Sequence, residues 1–140
     1  MHLQLITLTG VSIDKDVYEL IAPTTAGDIA VFPGHEPLVT MAAPGVLAVR
    51  NAKTDADDKL EYYAISGGII EINPKYIRVL VDAADAGDDI TEAESKAALD
   101  RALKLRESAT SQVDIEKAVQ MIAQQRVRLR VADLQRHRRR

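Results

Sequence analysis

The spacing of apolar residues changes once along this 140-residue chain, at Ala86-Gly87. Before that point, apolar and β-branched residues gather in short runs: Val17 to Ile21, Ile29 to Phe32, Gly45 to Val49, Leu60 to Ile65, Ile69 to Ile72 and Ile77 to Val81. Runs of this length and composition read as strands. Turn chemistry separates them: Thr9-Gly10, Ala26-Gly27-Asp28, Pro33-Gly34, Pro44-Gly45, the polar stretch Lys53 to Asp58, and Asn73-Pro74. Short strands so spaced predict a β-sandwich or flattened barrel. Beyond Gly87 the period is helical. Thr91 and Glu94 have the spacing of a capping box, and Ala93, Ala97, Leu99, Ala102, Leu103 and Leu105 follow at helical intervals. A polar break from Glu107 to Ser111 precedes a second helix over about 115–135, with Ser111 or Asp114 as its cap. The expected class is α+β: an N-terminal antiparallel β-sandwich over 1–86, then a C-terminal antiparallel two-helix hairpin over 87–140.

The second helix carries two apolar stripes, Ile115, Ala118, Val119, Ile122 and Leu129 on one side and Ala123, Val127, Val131 and Leu134 on another. One can meet the first helix; the other can meet the sandwich or a different subunit. The core must be aliphatic, because the chain has one Phe and no Trp. Cysteine is absent, which excludes disulfides and thiolate metal sites. No apolar run approaches the ~20 residues of a membrane-spanning helix, and no signal peptide is evident. Membrane association therefore has to go through a partner. Charge is unevenly spread: Asp82 to Asp100 is acidic apart from Lys96, and Arg126 to Arg140 is basic apart from Asp133. The basic arm suits an acidic surface. Nucleic acid is not the expected one, since the arm has no aromatic residue for base stacking.

Chemistry-bearing motifs are scarce. There is no P-loop, and Gly67-Gly68 lies between strands, where it reads as a bend or bulge and not as a dinucleotide fingerprint. The best enzymatic constellation is Asp28, His35 and Glu36 on neighbouring turns, as metal ligands or acid and base. The structural alternative is that Asp28 caps a turn after Gly27, His35 hydrogen-bonds within a tight loop, and Glu36 is solvated. No catalytic residue, metal or cofactor is expected.

Three segments occur in a telling order: Gly27 to Thr40 with its Pro33-Gly34-His35 turn, Ser66-Gly67-Gly68-Ile69-Ile70-Glu71-Ile72, and Val79-Leu80-Val81-Asp82-Ala83-Ala84-Asp85. Ahead of a helical tail, they resemble the epsilon subunit of the bacterial and chloroplast F-type ATP synthase, over essentially the whole chain. The resemblance implies a non-catalytic central-stalk subunit, peripheral at the cytoplasmic face of the cell membrane and not inserted in it. Its sandwich would bind the gamma subunit and rest on the c-subunit ring, so that ion flow through the ring is coupled through gamma to ATP synthesis.

By position, the resemblance places Asp28 at the c-ring and His35 near gamma. The hairpin becomes a regulatory part that inhibits ATP hydrolysis, with Arg126, Arg128, Arg130 and Arg136 facing the catalytic alpha/beta hexamer. The long terminal arginine run departs from the family, and the expectation is that it is specific to this enzyme's inhibitory contact. Family members that bind ATP carry Ile/Leu-Asp-x-x-Arg-Ala at the first helix. Here Thr91, Glu94 and Ser95 replace the Asp, Arg and Ala, and a carboxylate at Glu94 would repel phosphate, so no ATP binding is expected. The competing reading is a free-standing β-sandwich adaptor that holds an acidic partner through its basic tail.

Overall fold

The computed structural model describes residues 1–138. Ten strands fill the N-terminal part: β1 (His2–Thr7), β2 (Gly10–Asp16), β3 (Glu19–Thr24), β4 (Gly27–Val31), β5 (Leu38–Ala42), β6 (Gly45–Arg50), β7 (Glu61–Ile65), β8 (Gly68–Ile72), β9 (Tyr76–Val81) and β10 (Ala84–Ala86). They run in the order β10-β7-β6-β3-β5-β8-β9-β1-β2, with β4 hairpinned onto β3. The sheet folds over itself into a nearly closed sandwich around Leu3, Leu5, Leu20, Val31, Leu47, Val49, Ile70, Ile77 and Val79, all fully buried. The core is aliphatic, as the composition requires. Phe32 stays at the surface, edge-on to Tyr18 with ring centroids 5.7 Å apart.

Every strand pairing is antiparallel except β1 with β9, which is parallel. That pairing follows from β1 lying between its hairpin partner β2 and the late strand β9. Gly67 makes the bend between β7 and β8 that the sequence suggests. Gly68 opens β8 against β9 so closely that a Cβ there would sit 1.9 Å from the Leu80 carbonyl oxygen. Side chains join edge strand β2 to β7, next to the other end of the strand order: Lys15 on β2 donates to Glu61 on β7 at 2.7 Å. Asn51 donates to the same carboxylate at 2.7 Å and Tyr63 at 3.1 Å. On the paired residues Glu19 and Arg50 of β3 and β6, a largely buried ion pair of 2.7 Å adds a second brace.

The hairpin consists of α1 (Glu92–Ser108) and α2 (Gln112–Arg138), reached through a short 3-10 turn at Gly87–Asp89. Thr91 occupies the N-cap position, and its carbonyl takes the first helical bond from Ser95 N at 3.0 Å. The capping box expected of Thr91 and Glu94 does not form, because the Thr91 hydroxyl makes no cap bond. The first-turn amides of this exposed end are open to water instead. At α2 the cap is Ser111, whose Oγ accepts from Asp114 N at 3.1 Å. Both helices overrun the expected bounds, and the polar break shrinks to residues 109–111. On α2 the buried residues are Ala118, Ile122, Val131 and Gln135; α1 buries only Ser95 and Ala102. The small α1 residues let the helices approach closely over a modest area. α2, not α1, carries the hairpin's contact with the sandwich, through β7, β6 and the Gly87–Asp89 turn.

Glu61 is where the sandwich closes. Burial alone would raise the pKa of its carboxyl group, but the bonds from Lys15, Asn51 and Tyr63 outweigh it and hold the pKa below the usual carboxylate range. A carboxylate so depressed stabilises the fold at pH values above its unfolded pKa. That contribution is lost as pH falls through the folded pKa. Glu61→Gln should therefore cost about 1 kcal/mol at neutral pH. The deficit should shrink as pH drops below about 4, as urea denaturation across a pH series will show.

Candidate functional site

In a strand, successive side chains face opposite sides, so two adjacent apolar residues leave one outside. Several strands here carry such doublets, and pairing aligns their outward members. Val11 on β2 faces Ile6 on β1, Ile6 faces Leu80 on β9, Leu80 faces Ile69 on β8, and Ile69 faces Met41 on β5. This apolar row crosses five strands on the outer surface. Val11 is 59% exposed, Ile69 49% and Met41 62%. Val39, on the same side of β5, is 70% exposed.

A polar row lies beside the apolar one. Glu71 accepts from Tyr76 Oη at 2.9 Å and from Arg78 at 3.4 Å, and Arg78 Nε donates to Gln4 at 3.4 Å. The Arg78 guanidinium also lies over the Tyr76 ring at 5.2 Å. An apolar strip rimmed by internally satisfied polar side chains is the signature of a protein-docking face.

Asp28 and His35 lie at opposite ends of β4. Asp28 pairs across from Pro23 and is exposed. The turn beside it is held by Thr24, whose Oγ1 donates to the Gly27 carbonyl and accepts from Ala26 N at 3.2 Å. The sequence-based expectation that Asp28 caps this turn is corrected accordingly, since the Thr24 hydroxyl bonds both backbone groups. His35 is held within its own loop: its backbone N donates to Phe32 O at 3.2 Å, and its Nδ1 donates to Glu36 O at 2.7 Å. Gly34 has φ of 85° and donates to Pro74 O at 3.2 Å, which ties this turn to the β8–β9 connection. Glu36 is exposed. No hydrogen bond gathers Asp28, His35 and Glu36 into one site. Among the described residues no group of three His, Asp or Glu side chains is placed to hold a metal ion.

The arginines of α2 divide into two sets. Arg126 and Arg130 are exposed. Arg128 forms an ion pair with Asp85 of β10, and Arg136 pairs with Glu92 at 3.0 Å and with Asp133. The acidic run and the basic arm seen in the sequence thus meet partly within the chain. Gln135 Nε2 donates to Asp88 at 2.9 Å. Between the sandwich and the earlier part of α2 lies an open cleft of about 650 Å³, lined by Met41, Asp82 and Asp85 on one side and Val119, Ala123 and Val127 on the other. Val119 therefore shares the sandwich-facing side with Ala123 and Val127, away from the stripe assigned to it by spacing. Glu94 and Ser95 line a smaller cleft between the helices, of about 410 Å³, with Arg101, Gln125 and Arg128. Thr91 is exposed at the helix start. Arg139 and Arg140 of the terminal arginine run lie outside the described residues.

Sequence reasoning missed the outer apolar row and the roles of Asp85, Gly87 and Gln135. The row was signalled by the adjacent apolar residues Leu38-Val39, Ile69-Ile70 and Val79-Leu80-Val81. The partners of Arg128 and Gln135 left no local signal.

A sandwich with an apolar outer face and a helical hairpin folded against it defines a docking subunit, whose surfaces carry its role. The family model for the delta/epsilon chain β-sandwich domain of ATP synthase matches residues 1–87. The ATP synthase epsilon chain of Herpetosiphon aurantiacus is 32% identical over 139 residues, covering 99% of this chain and 98% of that one. That of Chloroflexus aggregans is 33% identical over 100% of this chain and 97% of its own. Among solved structures, a chain of the Euglena gracilis mitochondrial ATP synthase, in an assembly of OSCP, F1 and c-ring, superposes with a TM-score of 0.78 at 23% identity, over 93% of this chain and 79% of that one. A chain of the Tetrahymena thermophila mitochondrial ATP synthase central stalk and c-ring superposes at 0.61 with 12% identity, over 94% and 96%. At those identities the superpositions speak for the fold. The chain belongs to the delta/epsilon chain family of the ATP synthase, as an epsilon chain. It is a non-catalytic subunit of that complex.

Proposed function

We propose that this epsilon chain is a rotor part of the central stalk, seated between the gamma subunit and the c-ring, and that its hairpin restrains ATP hydrolysis. The exposed row Val11–Ile6–Leu80–Ile69–Met41 carries the reading. A rotor coupling needs a stiff body and a face that does not slip. The close-packed core and cross-strand bonds supply the first. An apolar strip fixed in register by five strands supplies the second, with gamma as its partner. In this reading His35, in the turn tied to the β8–β9 connection, lies toward gamma, and exposed Asp28 meets a basic group of the c-ring. Such a rim charge sets register and approach more than affinity. None of the helices is long and apolar enough to cross a membrane, among the described residues. Attachment to the membrane, at its cytoplasmic face, then runs through the ring. Residues 1–86 act as the rotor-binding part and 87–140 as the regulatory part, in which Arg126, Arg128, Arg130 and Arg136 face the alpha/beta hexamer when the hairpin extends.

Ile69 is half-exposed, so Ile69→Glu should change the stability of the isolated chain by no more than about 0.5 kcal/mol. The same change should weaken capture of gamma about 30-fold or more, as expected for a central apolar contact worth about 2 kcal/mol. Co-purification and titration with gamma read this directly, and undiminished binding would remove the apolar row from the interface.

Asp28→Lys should leave the fold intact and lower coupled, ion-driven ATP synthesis in membranes carrying it; normal coupling would exclude Asp28 from the ring contact. Deleting residues 113–140 should raise ATP hydrolysis by the assembled complex. An unchanged rate would mean that the hairpin packs on the sandwich and has no braking role.

A further inference from the structure

We propose that Arg78, at the centre of the outer sheet face, grips a carboxylate of the gamma subunit and so fixes where along the apolar row that subunit sits. The inference rests on the docking reading above and names the group that sets its register.

The apolar row by itself permits sliding, because the burial of apolar surface has no preferred direction. A second row runs beside it, Asp14–Gln4–Arg78–Glu71–Val39, aligned by the pairing of β2, β1, β9, β8 and β5. Arg78 is the middle member of this row, as Leu80 is of the apolar one. Two residues apart on one strand, they share a face and stand about 7 Å from each other. A partner that covers the apolar row across five strands therefore also covers Arg78, whose side chain is 40% exposed.

The carboxylates of this face already have donors. Glu71 accepts from Tyr76, and Asp14 and Asp16 share His2. Arg78 has donors to spare. A guanidinium carries five N–H groups. Nε bonds Gln4 and Nη1 bonds Glu71, both at the long distance of 3.4 Å. The remaining donors lie at the Nη1/Nη2 end, the fork that matches a carboxylate. Gln4, Glu71 and the Tyr76 ring, 5.2 Å away, already orient the guanidinium. Little side-chain freedom is then lost when a ligand takes the fork. Covered without an acceptor, the same donors would be stripped of water and left unpaired, which weakens docking. The arrangement thus admits a gamma surface with a carboxylate opposite Arg78 and opposes one shifted along the row.

Titration of the full chain with gamma tests this. Arg78→Ala should weaken binding about 30-fold, mostly through faster dissociation. Arg78→Lys keeps the charge but not the fork and should recover only part of that loss. Arg78→Glu should bind about tenfold more weakly still than Arg78→Ala, and a lysine in place of one acidic residue of gamma should restore it. Protected β1, β8 and β9 amides in hydrogen exchange mark a sandwich still folded. If Arg78→Glu disturbs it, Arg78→Gln takes its place and should bind more weakly than Arg78→Lys. Undiminished binding by Arg78→Ala overturns the clamp. Arg78→Glu binding as well as Arg78→Ala, or rescued by no such change in gamma, overturns the carboxylate as its target. Ile69→Glu separates this proposal from the reading beneath it. If that variant binds gamma normally while Arg78→Ala does not, the apolar row falls and the Arg78 contact stands. If Ile69→Glu weakens binding and Arg78→Ala does not, the row stands and the clamp falls.

Discussion

Strand parity is the constraint from which the rest of this molecule follows. A side chain in β5, β8 or β9 faces either the core or the outside, and its neighbours in sequence face the other way. Ile70 and Val79 are fully buried, so Ile69 and Leu80 must be outside. A one-residue slip in either strand would bury the wrong set and expose the core. The core therefore fixes the outer surface. Close packing of Leu3, Leu5, Leu20 and Leu47 demands this register, and the register lines up the outward apolar residues of five strands. The tight approach of Gly68 to the Leu80 carbonyl fixes β8 against β9 in the middle of that row.

Much of this was legible in the sequence because it is local. The change of period at Ala86-Gly87 marks where strands give way to helices, and six of the ten strands follow from runs of β-branched and apolar residues. β2 escaped notice because it is an edge strand with only Ile13 buried, so its sequence reads as polar. β5 was hidden inside the Pro-rich segment after β4. β10 is three residues long and exists by pairing with β7, a tertiary fact. The parallel pairing of β1 with β9 joins opposite ends of the sandwich sequence and has no local signature. At the surfaces, Asp28 and His35 were singled out by the turn motif, and the structure separates them. Arg128 was picked out by charge, yet its partner Asp85 is 43 residues away. Periodicity cannot reveal a contact at that range.

The two surfaces differ in the physics that holds them. The outer row of the sandwich is apolar, and burial stabilises by roughly 25 cal/mol per Å² with little dependence on salt. Such a face suits an attachment that persists through many turns of a rotor. The seat of α2 is built from ion pairs and one buried amide, each worth little in water-accessible settings and each replaceable by another charged group. Such a face suits an element that changes partners. In the proposed function, the aliphatic sandwich and the arginine-bearing helix would answer opposite mechanical demands within one short chain.

In the proposed reading, that division would let the hairpin move without disturbing the sandwich. α1 packs mainly on α2, and α2 meets the sandwich mainly at β6, β7, the Gly87–Asp89 turn and Asp85 of β10, at the far end of the strand order from β2 and β1. Lifting α2 uncovers Val131 and a few polar groups but leaves the core residues Leu3, Leu5, Ile70 and Val79 packed as before. The sandwich is closed at Glu61 by its own bonds from Lys15 and Asn51, and not by the helices. In that reading, opening the hairpin would give up only a small, largely polar interface. A population shift of that size needs only a few kcal/mol, whereas disturbing the register of the outer row would require unfolding the sandwich.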